Sequence, residues 1–191
     1  MRARTLAVLV GAVLVLPTAH AESVWKAYIA KDHGFSFTAP GEVTAALGTY
    51  RGALAGPRQT IVYKSVDNNI EYRVTVMSFL QAQALGADIL GERQYAFQNQ
   101  KKLLRDVFTR VESGKDVVYG RKLVVDQPEN KGRTTGAFYF TKGKMISLEA
   151  TVLPANGNYD SPDPGRFVDS VLFQLSRADK NAVVLPSLRF E

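Results

Sequence analysis

The chain has 191 residues, of which 46% are hydrophobic and 10% aromatic, so it is the size of one domain and can build a substantial core. It contains no cysteine, which excludes disulfide frameworks, cysteine nucleophiles and thiolate metal sites together. The formal net charge of +6 falls short of what nucleic-acid binding requires.

The N-terminus has the three parts of a cleavable signal peptide, which we place at residues 1–21. Arg2 and Arg4 precede an apolar run at 6–16, and Ala19-His20-Ala21 is a small-residue cleavage site. The apolar run is shorter than the about 20 residues of a membrane-spanning helix, and no other segment approaches that length. Cleavage after Ala21 leaves 22 basic against 18 acidic residues, a net charge of +4. We therefore expect a periplasmic or secreted protein without a membrane span.

The first part of the mature chain is predicted to contain short strands separated by turns. Strands are predicted at 24–29 and 35–37, on either side of a turn at Asp32-His33-Gly34. A further strand is indicated at 43–50, and the Gly- and Ala-rich stretch 52–57 is predicted to be a flexible connection.

A β-hairpin is the clearest element of the N-terminal half. Its strands are predicted at 60–64 and 70–76, with turn residues at Asp67-Asn68-Asn69 between them. The second strand alternates Ile70, Tyr72, Val74 and Val76 with Glu71, Arg73 and Thr75. Because side chains alternate across a strand, this pattern predicts an antiparallel sheet that is covered on one face.

The hydrophobic period then changes to that of a helix, which we predict from Leu85 to Phe108. Its apolar face would comprise Leu85, Ile89, Ala96, Leu103, Leu104, Val107 and Phe108. Strands are predicted again at 116–125, 133–140 and 144–153, the last two joined by a turn at Lys142-Gly143.

The C-terminal part is predicted to hold one more helix and a tail. Asp163 is the predicted N-cap of a helix at 164–175, with Pro164 at its first position. The tail, residues 177–191, ends in apolar side chains, and we expect it to dock on its own domain instead of recruiting a partner.

This order of elements describes one α+β domain, residues 22–176, with a largely antiparallel sheet. Four features resemble the PsbP-like domains: the aromatic strand 34–40, the hairpin ending in Tyr72-Arg73-Val74, the central helix, and the closing segment 165–171. The sequence also resembles small bacterial envelope proteins of the DcrB type, although it lacks their lipidation cysteine. The resemblance implies a curved antiparallel sheet flanked by helices, an α/β sandwich, in a family whose members mostly bind proteins or stabilise assemblies.

Few residues are suited to catalysis, and we assign no catalytic, cofactor or metal site. His33 would be the one histidine left after cleavage, and its position next to Gly34 indicates a turn residue. Paired carboxylates could hydrolyse glycosides, but alternation places Glu71 and Glu149 on wet strand faces.

Three other groups of residues were considered as binding sites. The loop 156–163 resembles the start of a calcium loop but lacks the central glycine and closing glutamate, so we interpret it as a turn-rich loop. Lys101, Lys102 and Arg105 are predicted to form a solvated helix face. The aromatics of the strands are expected to pack in the core: Tyr72, Phe138, Tyr139 and Phe140.

The leading hypothesis is an exported, non-enzymatic domain that binds a protein or another envelope component. One alternative is an envelope-directed hydrolase that uses paired carboxylates. The other is a carrier of a small apolar ligand, held between the sheet and its long helix.

Overall fold

The computed structural model describes residues 23–53 and 56–190, so the predicted signal peptide lies outside the described residues. The strands of this part are β1 (Trp25–Ala30), β2 (Phe35–Pro40), β3 (Thr44–Gly52), β4 (Gly56–Asp67), β5 (Ile70–Ser78), β6 (Lys102–Ser113), β7 (Asp116–Asp126), β8 (Arg133–Thr141), β9 (Lys144–Val152) and β10 (Val183–Val184). Its α-helices are α1 (Gly86–Gln98) and α2 (Asp163–Val168).

Two sheets organise the described residues. The larger has seven strands in the order β3-β4-β5-β9-β8-β7-β6, and every neighbouring pair in it is antiparallel. The smaller has the order β10-β1-β2. The predicted α+β class, with a large antiparallel sheet flanked by helices, is confirmed.

The two faces of the large sheet are covered by different elements. On one face lie β1, β2 and α2, where Phe37 and Phe167 pack edge to face and Tyr72 of the sheet contacts Phe167. Each such fully buried aromatic side chain contributes about 1.5–3 kcal/mol through the area removed from water. Helix α1 lies on the opposite face with a smaller cluster beneath it.

Close approach of α1 to the sheet depends on a glycine in β8. The rings of Phe97, from α1, and Phe138 meet edge to face with centroids 4.9 Å apart. A Cβ atom at Gly136 would lie 2.9 Å from carbons of both rings. Because α1 covers only the middle of this face, other parts of the same face stay open to solvent.

The predicted hairpins are confirmed; β4, β5 and β8 are longer than expected, and β9 ends one residue earlier than expected, at Val152. Asn68 and Asn69 both adopt the left-handed conformation, with φ of 47° and 54°, which is the geometry of a tight two-residue turn. Lys142 and Gly143 turn in the same way between β8 and β9. The connection predicted at 52–57 is wrong at its ends, since Gly52 pairs with Gly56 and Pro57 with Arg51 in β3 and β4. The part of this prediction at residues 54 and 55 lies outside the described residues.

The long helix predicted from Leu85 to Phe108 is wrong in its second half. Helix α1 ends at Gln98, Gln100 adopts a left-handed φ of 59°, and the chain continues as β6. A bulge between Leu103 and Arg105 shifts the strand register by one residue, and this shift hid the two-residue period in the sequence.

The second predicted helix is also shorter, because α2 ends at Val168 instead of continuing to residue 175. Beyond it, Leu172 exchanges two backbone hydrogen bonds with Ser36, each 2.9 Å long, which draws the chain into an extended conformation. Asp163 is the first helical residue, and the N-cap position belongs to Pro162.

The tail lies against β1 and the turn that follows it. Val183 and Val184 pair in parallel with β1, and the Leu185 amide donates to the carbonyl of Ile29 at 2.9 Å. The Leu185 side chain is buried, and Ser187 donates a hydrogen bond to Asp32. These contacts tie together two parts of the chain that are about 150 residues apart in sequence.

Candidate functional site

Strand β6 forms one edge of the large sheet and is 12 residues long. It pairs with β7 on one side, and no strand of the described residues pairs with its other side. Every second backbone N–H and C=O of such an edge is open to hydrogen bonding with a further strand. The edge is therefore a site at which another extended chain can be added.

A group of side chains on β6 and β7, all exposed except the partly buried Arg121, lies beside this open edge, and we call it the edge patch. Its members are Phe108, Arg110, Val117, Tyr119 and Arg121. Phe108 stands opposite Arg121, and Arg110 opposite Tyr119, so the patch shares one face of the sheet. Phe108 is 83% exposed and Tyr119 is 66% exposed. Exposed aromatic and arginine side chains are the types that concentrate binding energy at protein interfaces.

The Phe108 ring is held on the surface by its cross-strand neighbour. The guanidinium carbon of Arg121 lies 4.2 Å from the ring centroid, a cation–π contact, and the same guanidinium forms an ion pair with Asp106. Arg110 forms no ion pair with any residue that the structure describes. The patch thus offers one fixed aromatic ring and one cation without a counter-charge.

The patch is exposed because α1 stops short of it. Leu123 and Val125, on the same face of β7, are buried under the helix, whereas Val117 and Tyr119 lie beyond its cover. The opposite edge strand, β3, has a different surface. Leu47 is the one large apolar side chain exposed along it, and its one aromatic residue, Tyr50, is half-buried.

A second feature of this face is a polar cavity of about 220 Å³ at the end of the sheet away from the edge patch. It is lined by Glu71, Arg73, Lys101, Gln127, Thr134, Glu149 and Thr151. The predicted exposure of Glu71 is confirmed. The predicted exposure of Glu149 is wrong, since its side chain is 15% exposed and forms an ion pair with Arg93 of α1.

Charges of both signs meet in this cavity. Glu149 also accepts a hydrogen bond from the Ser147 hydroxyl at 3.2 Å, so one of its oxygens has two donors. The Lys101 ammonium lies 4.7 Å from the Phe97 ring centroid, and burial lowers the pKa of Lys101, with Arg93 acting in the same direction and Glu149 against it. The three basic residues of the predicted helix face do not form one cluster. Lys101 lines the polar cavity, whereas Lys102 and Arg105 are exposed on β6.

His33 lies in a turn, as predicted, but it is buried. Its side chain is 8% exposed, and its ring packs 5.6 Å from that of Phe190 in the tail. Burial lowers the pKa of His33, and the positive charge of Lys144 lowers it further. No serine, threonine or carboxylate of the described residues is hydrogen-bonded to either ring nitrogen, which leaves His33 outside any catalytic triad.

The loop 156–163 uses its side-chain oxygens to hold its own backbone. Asn156 accepts from the Asn158 amide at 3.0 Å, and Asn158 accepts from the Asp160 amide at 3.2 Å. Asp160 also pairs with Arg133. The strand aromatics that could have lined a groove are instead part of the two cores, as predicted: Tyr72, Phe138 and Tyr139 are buried and Phe140 is half-buried.

The sequence interpretation missed the edge patch because Phe108 was assigned to the apolar face of a helix. A usable signal existed in the β-branched residues Val107, Thr109 and Val111, which alternate with Phe108 and Arg110. That pattern predicts a strand that carries an aromatic side chain on its solvent-exposed face.

No family model matches this chain, and no curated protein matches it. Among solved structures it is similar to the solution structure of cyanobacterial PsbP (CyanoP) from Synechocystis sp. PCC 6803, with 14% sequence identity and a TM-score of 0.46. The alignment covers 82% of this chain and 95% of that chain. The similarity concerns the fold, and no function is transferred from it. None of the helices in the described residues is both long and apolar enough to cross a membrane.

Proposed function

We propose that this chain is an exported, non-enzymatic domain that binds an extended segment of another protein along β6. The observation that carries the proposal is Phe108, an aromatic side chain 83% exposed near the middle of an edge strand whose outer side pairs with no strand of the described residues. Single exposed apolar side chains are common, but a cluster of aromatic and apolar side chains beside open backbone groups supports a docking surface.

Strand addition explains why the exposed backbone and the exposed side chains occur together. An added strand would hydrogen-bond to the free side of β6, and its alternate side chains would lie over the edge patch. Arg110 favours an acidic residue in that segment, since it has no counter-charge among the described residues. The occupant is therefore an extended, acidic and apolar segment of a partner protein.

Export rests on the signal-peptide pattern, and the envelope is therefore where the partner is expected. The test is the intact mass of the protein recovered from the envelope fraction. This mass should equal that of a chain that begins at Glu22. A mass that includes residues 1–21 would contradict cleavage.

The hydrolase alternative has its two carboxyl groups in the polar cavity, where Glu71 and Glu149 line the same space. One oxygen of Glu149 already accepts hydrogen bonds from Arg93 and from the Ser147 hydroxyl, which gives this carboxylate a structural role in joining α1 to the sheet. The carrier alternative has less support, since the space between the sheet and α1 contains packed side chains such as Phe97 and Phe138.

The binding proposal is tested by photo-crosslinking in intact cells, with a photoreactive amino acid at position 108. The matched control places it at position 47, on the opposite edge strand, where Leu47 is 50% exposed. We expect a reproducible partner adduct from position 108 and none from position 47.

The captured partner is then purified and its affinity is measured with Phe108→Ala and Leu47→Ala. Because a central aromatic anchor is worth at least about 2 kcal/mol, Phe108→Ala should weaken binding by roughly 30-fold or more, and Leu47→Ala by less than about threefold. Equal effects of the two substitutions would contradict the proposal. Adducts that contain only a second copy of this chain would also overturn it and assign the edge to self-association.

A further inference from the structure

The last part of the tail, residues 183–190, which we call the tail strap, is attached to the domain by few buried contacts. Leu185 is the one buried side chain among these eight residues, all of which the structure describes. Val183 and Val184 pair with β1, yet their side chains are 46% and 61% exposed. A segment attached in this way can detach locally while the sheets stay folded.

The tail strap covers His33. The histidine is 8% exposed and both of its ring nitrogens are shielded from solvent. The ring of Phe190 packs against it, and residues 184–187 face it across a cavity of about 110 Å³. The other walls of this cavity include Ala30 and Tyr63, which are buried strand residues of the two sheets. Lifting the strap is therefore the smallest rearrangement that brings water to the imidazole.

The surroundings of His33 carry more positive than negative charge. Asp32 is the one carboxylate that lines either of the two cavities beside the histidine, and it already accepts a hydrogen bond from Ser187. The Lys144 ammonium is held nearby, because it donates to the Asp32 carbonyl at 3.1 Å. Burial raises the pKa of Tyr63 to about 12, so this phenol stays neutral in acid. The titratable groups around the histidine are Lys31 and Asp32 of its own turn, Tyr63 of β4, Lys142 and Lys144 of the β8–β9 hairpin, and Arg189 of the strap.

This environment favours the neutral imidazole while the strap is attached. Burial lowers the pKa of His33 most and the charge of Lys144 lowers it further, whereas Asp32 and the Leu188 backbone act in the opposite direction with smaller effects. An imidazole in water has a pKa of about 6.5. Attachment of the strap is therefore fully stabilised above about pH 6.5, and it weakens as pH falls from there toward the lowered pKa of the closed state.

We propose that the tail strap is released by acid: protonation of His33 detaches residues 183–190 from β1 and leaves the two sheets folded. Release also moves the Arg189 guanidinium away from the new imidazolium charge. It exposes the outer edge of β1, where Tyr28 and Ile29 now pair with the strap. The strap and β6 belong to different sheets, so this proposal does not depend on strand addition at β6.

The first test is hydrogen exchange of the Leu185 amide, which donates to the Ile29 carbonyl at 2.9 Å. Opening of the strap takes up one proton, so the protection factor of this amide, corrected for the intrinsic pH dependence of exchange, should fall up to about tenfold between about pH 7.5 and about pH 5.5. In His33→Phe it should not change with pH. The amides of β5, in the large sheet, should stay far better protected at both pH values.

Two results of this experiment would overturn the proposal. A Leu185 protection factor that is independent of pH in the wild type would show that opening of the strap takes up no proton. Equal protection of Leu185 and of the β5 amides would show that the strap opens only when the whole domain unfolds.

The second test measures the pKa of His33 by NMR and does not require the His33→Phe variant to fold. In the chain that begins at Glu22, His33 is the only histidine, so its imidazole signals need no assignment. Phe190→Ala removes the ring that covers the imidazole and should raise the pKa of His33 toward about 6.5. The matched control is Val66→Ala, which truncates a side chain that is 64% exposed beside the β4–β5 turn, at the other end of the large sheet. It should leave the pKa unchanged, and equal pKa values in Phe190→Ala and Val66→Ala would refute the role of the strap.

Discussion

Breaking the ion pair between Arg93 and Glu149 should destabilise the fold, because it joins α1 to the centre of the large sheet. The two side chains are 16% and 15% exposed, so neither charge is well hydrated if its partner is removed. Glu149→Gln leaves the Arg93 guanidinium over the Phe138 ring without a counter-charge. Removing one member of a buried pair costs about 3–5 kcal/mol, and residual solvent access here lowers our expectation to about 2–4 kcal/mol.

The assay is a double-mutant cycle in urea with Glu149→Gln, Arg93→Met and the double variant. Methionine keeps the apolar stem of Arg93 over the Phe138 ring. The loss of unfolding free energy in the double variant should be smaller than the sum of the losses in the two single variants. The difference, about 1–3 kcal/mol, is the coupling energy of the pair. A matched cycle on Lys131 and Glu129, whose side chains are 68% and 74% exposed, should give about 0–1 kcal/mol. Equal coupling in the two cycles would refute the reasoning.

Three further predictions concern the core, the tail and pH. Gly136→Ala should lower the free energy of unfolding in urea by about 1–3 kcal/mol, because the added methyl group would contact two aromatic rings. Gly91→Ala, on α1, places its methyl group in open space and should raise the free energy of unfolding slightly. The reverse order of the two variants would contradict the packing. Leu185→Ala should lower the free energy of unfolding by about 2–3 kcal/mol and the melting temperature by roughly 4–12 °C, because the Leu185 side chain is buried. An unchanged melting temperature would contradict docking of the tail. Since burial lowers the pKa of His33, its stabilising contribution is full above the unfolded value of about 6.5 and is lost as pH falls from there toward the lowered folded pKa. The melting temperature of the wild type should therefore fall more than that of His33→Phe between about pH 7.5 and about pH 5.5, and parallel curves would contradict this.

The strands were predictable where one physical signal was dominant. In β5 and β9, the apolar residues alternate onto the face that packs against β1, β2 and α2, although Met145 and Ser147 on the other face of β9 are buried as well. The turns at Asn68-Asn69 and Lys142-Gly143 adopt left-handed backbone, which Asn and Gly tolerate. Local sequence and tertiary environment agree at these elements.

Strand β6 could not be predicted because two features obscured its period. The bulge after Leu103 inserts one residue, so that the spacing of Leu103, Leu104, Val107 and Phe108 imitates one face of a helix. Pairing with β7, which is a tertiary interaction, then overrides the local helical pattern. The same error concealed the edge patch, since Phe108 was assigned to a buried helix face.

The other differences have a similar origin in long-range contacts. Glu149 occupies the polar side of its strand, as alternation requires, but α1 brings Arg93 onto that side and buries the carboxylate. His33 is a turn residue in the sequence, and its burial depends in part on Phe190 in the tail. No local pattern contains such information, because the contacting residues are more than 50 positions apart.

The most direct test of strand addition at β6 is backbone hydrogen exchange of the chain with and without its captured partner. An added strand must hydrogen-bond to the outward amides of β6, so protection should rise at alternate residues between 102 and 113 and stay unchanged along β3. Equal protection of both edges, or protection confined to other parts of the chain, would contradict the binding mode proposed for this domain.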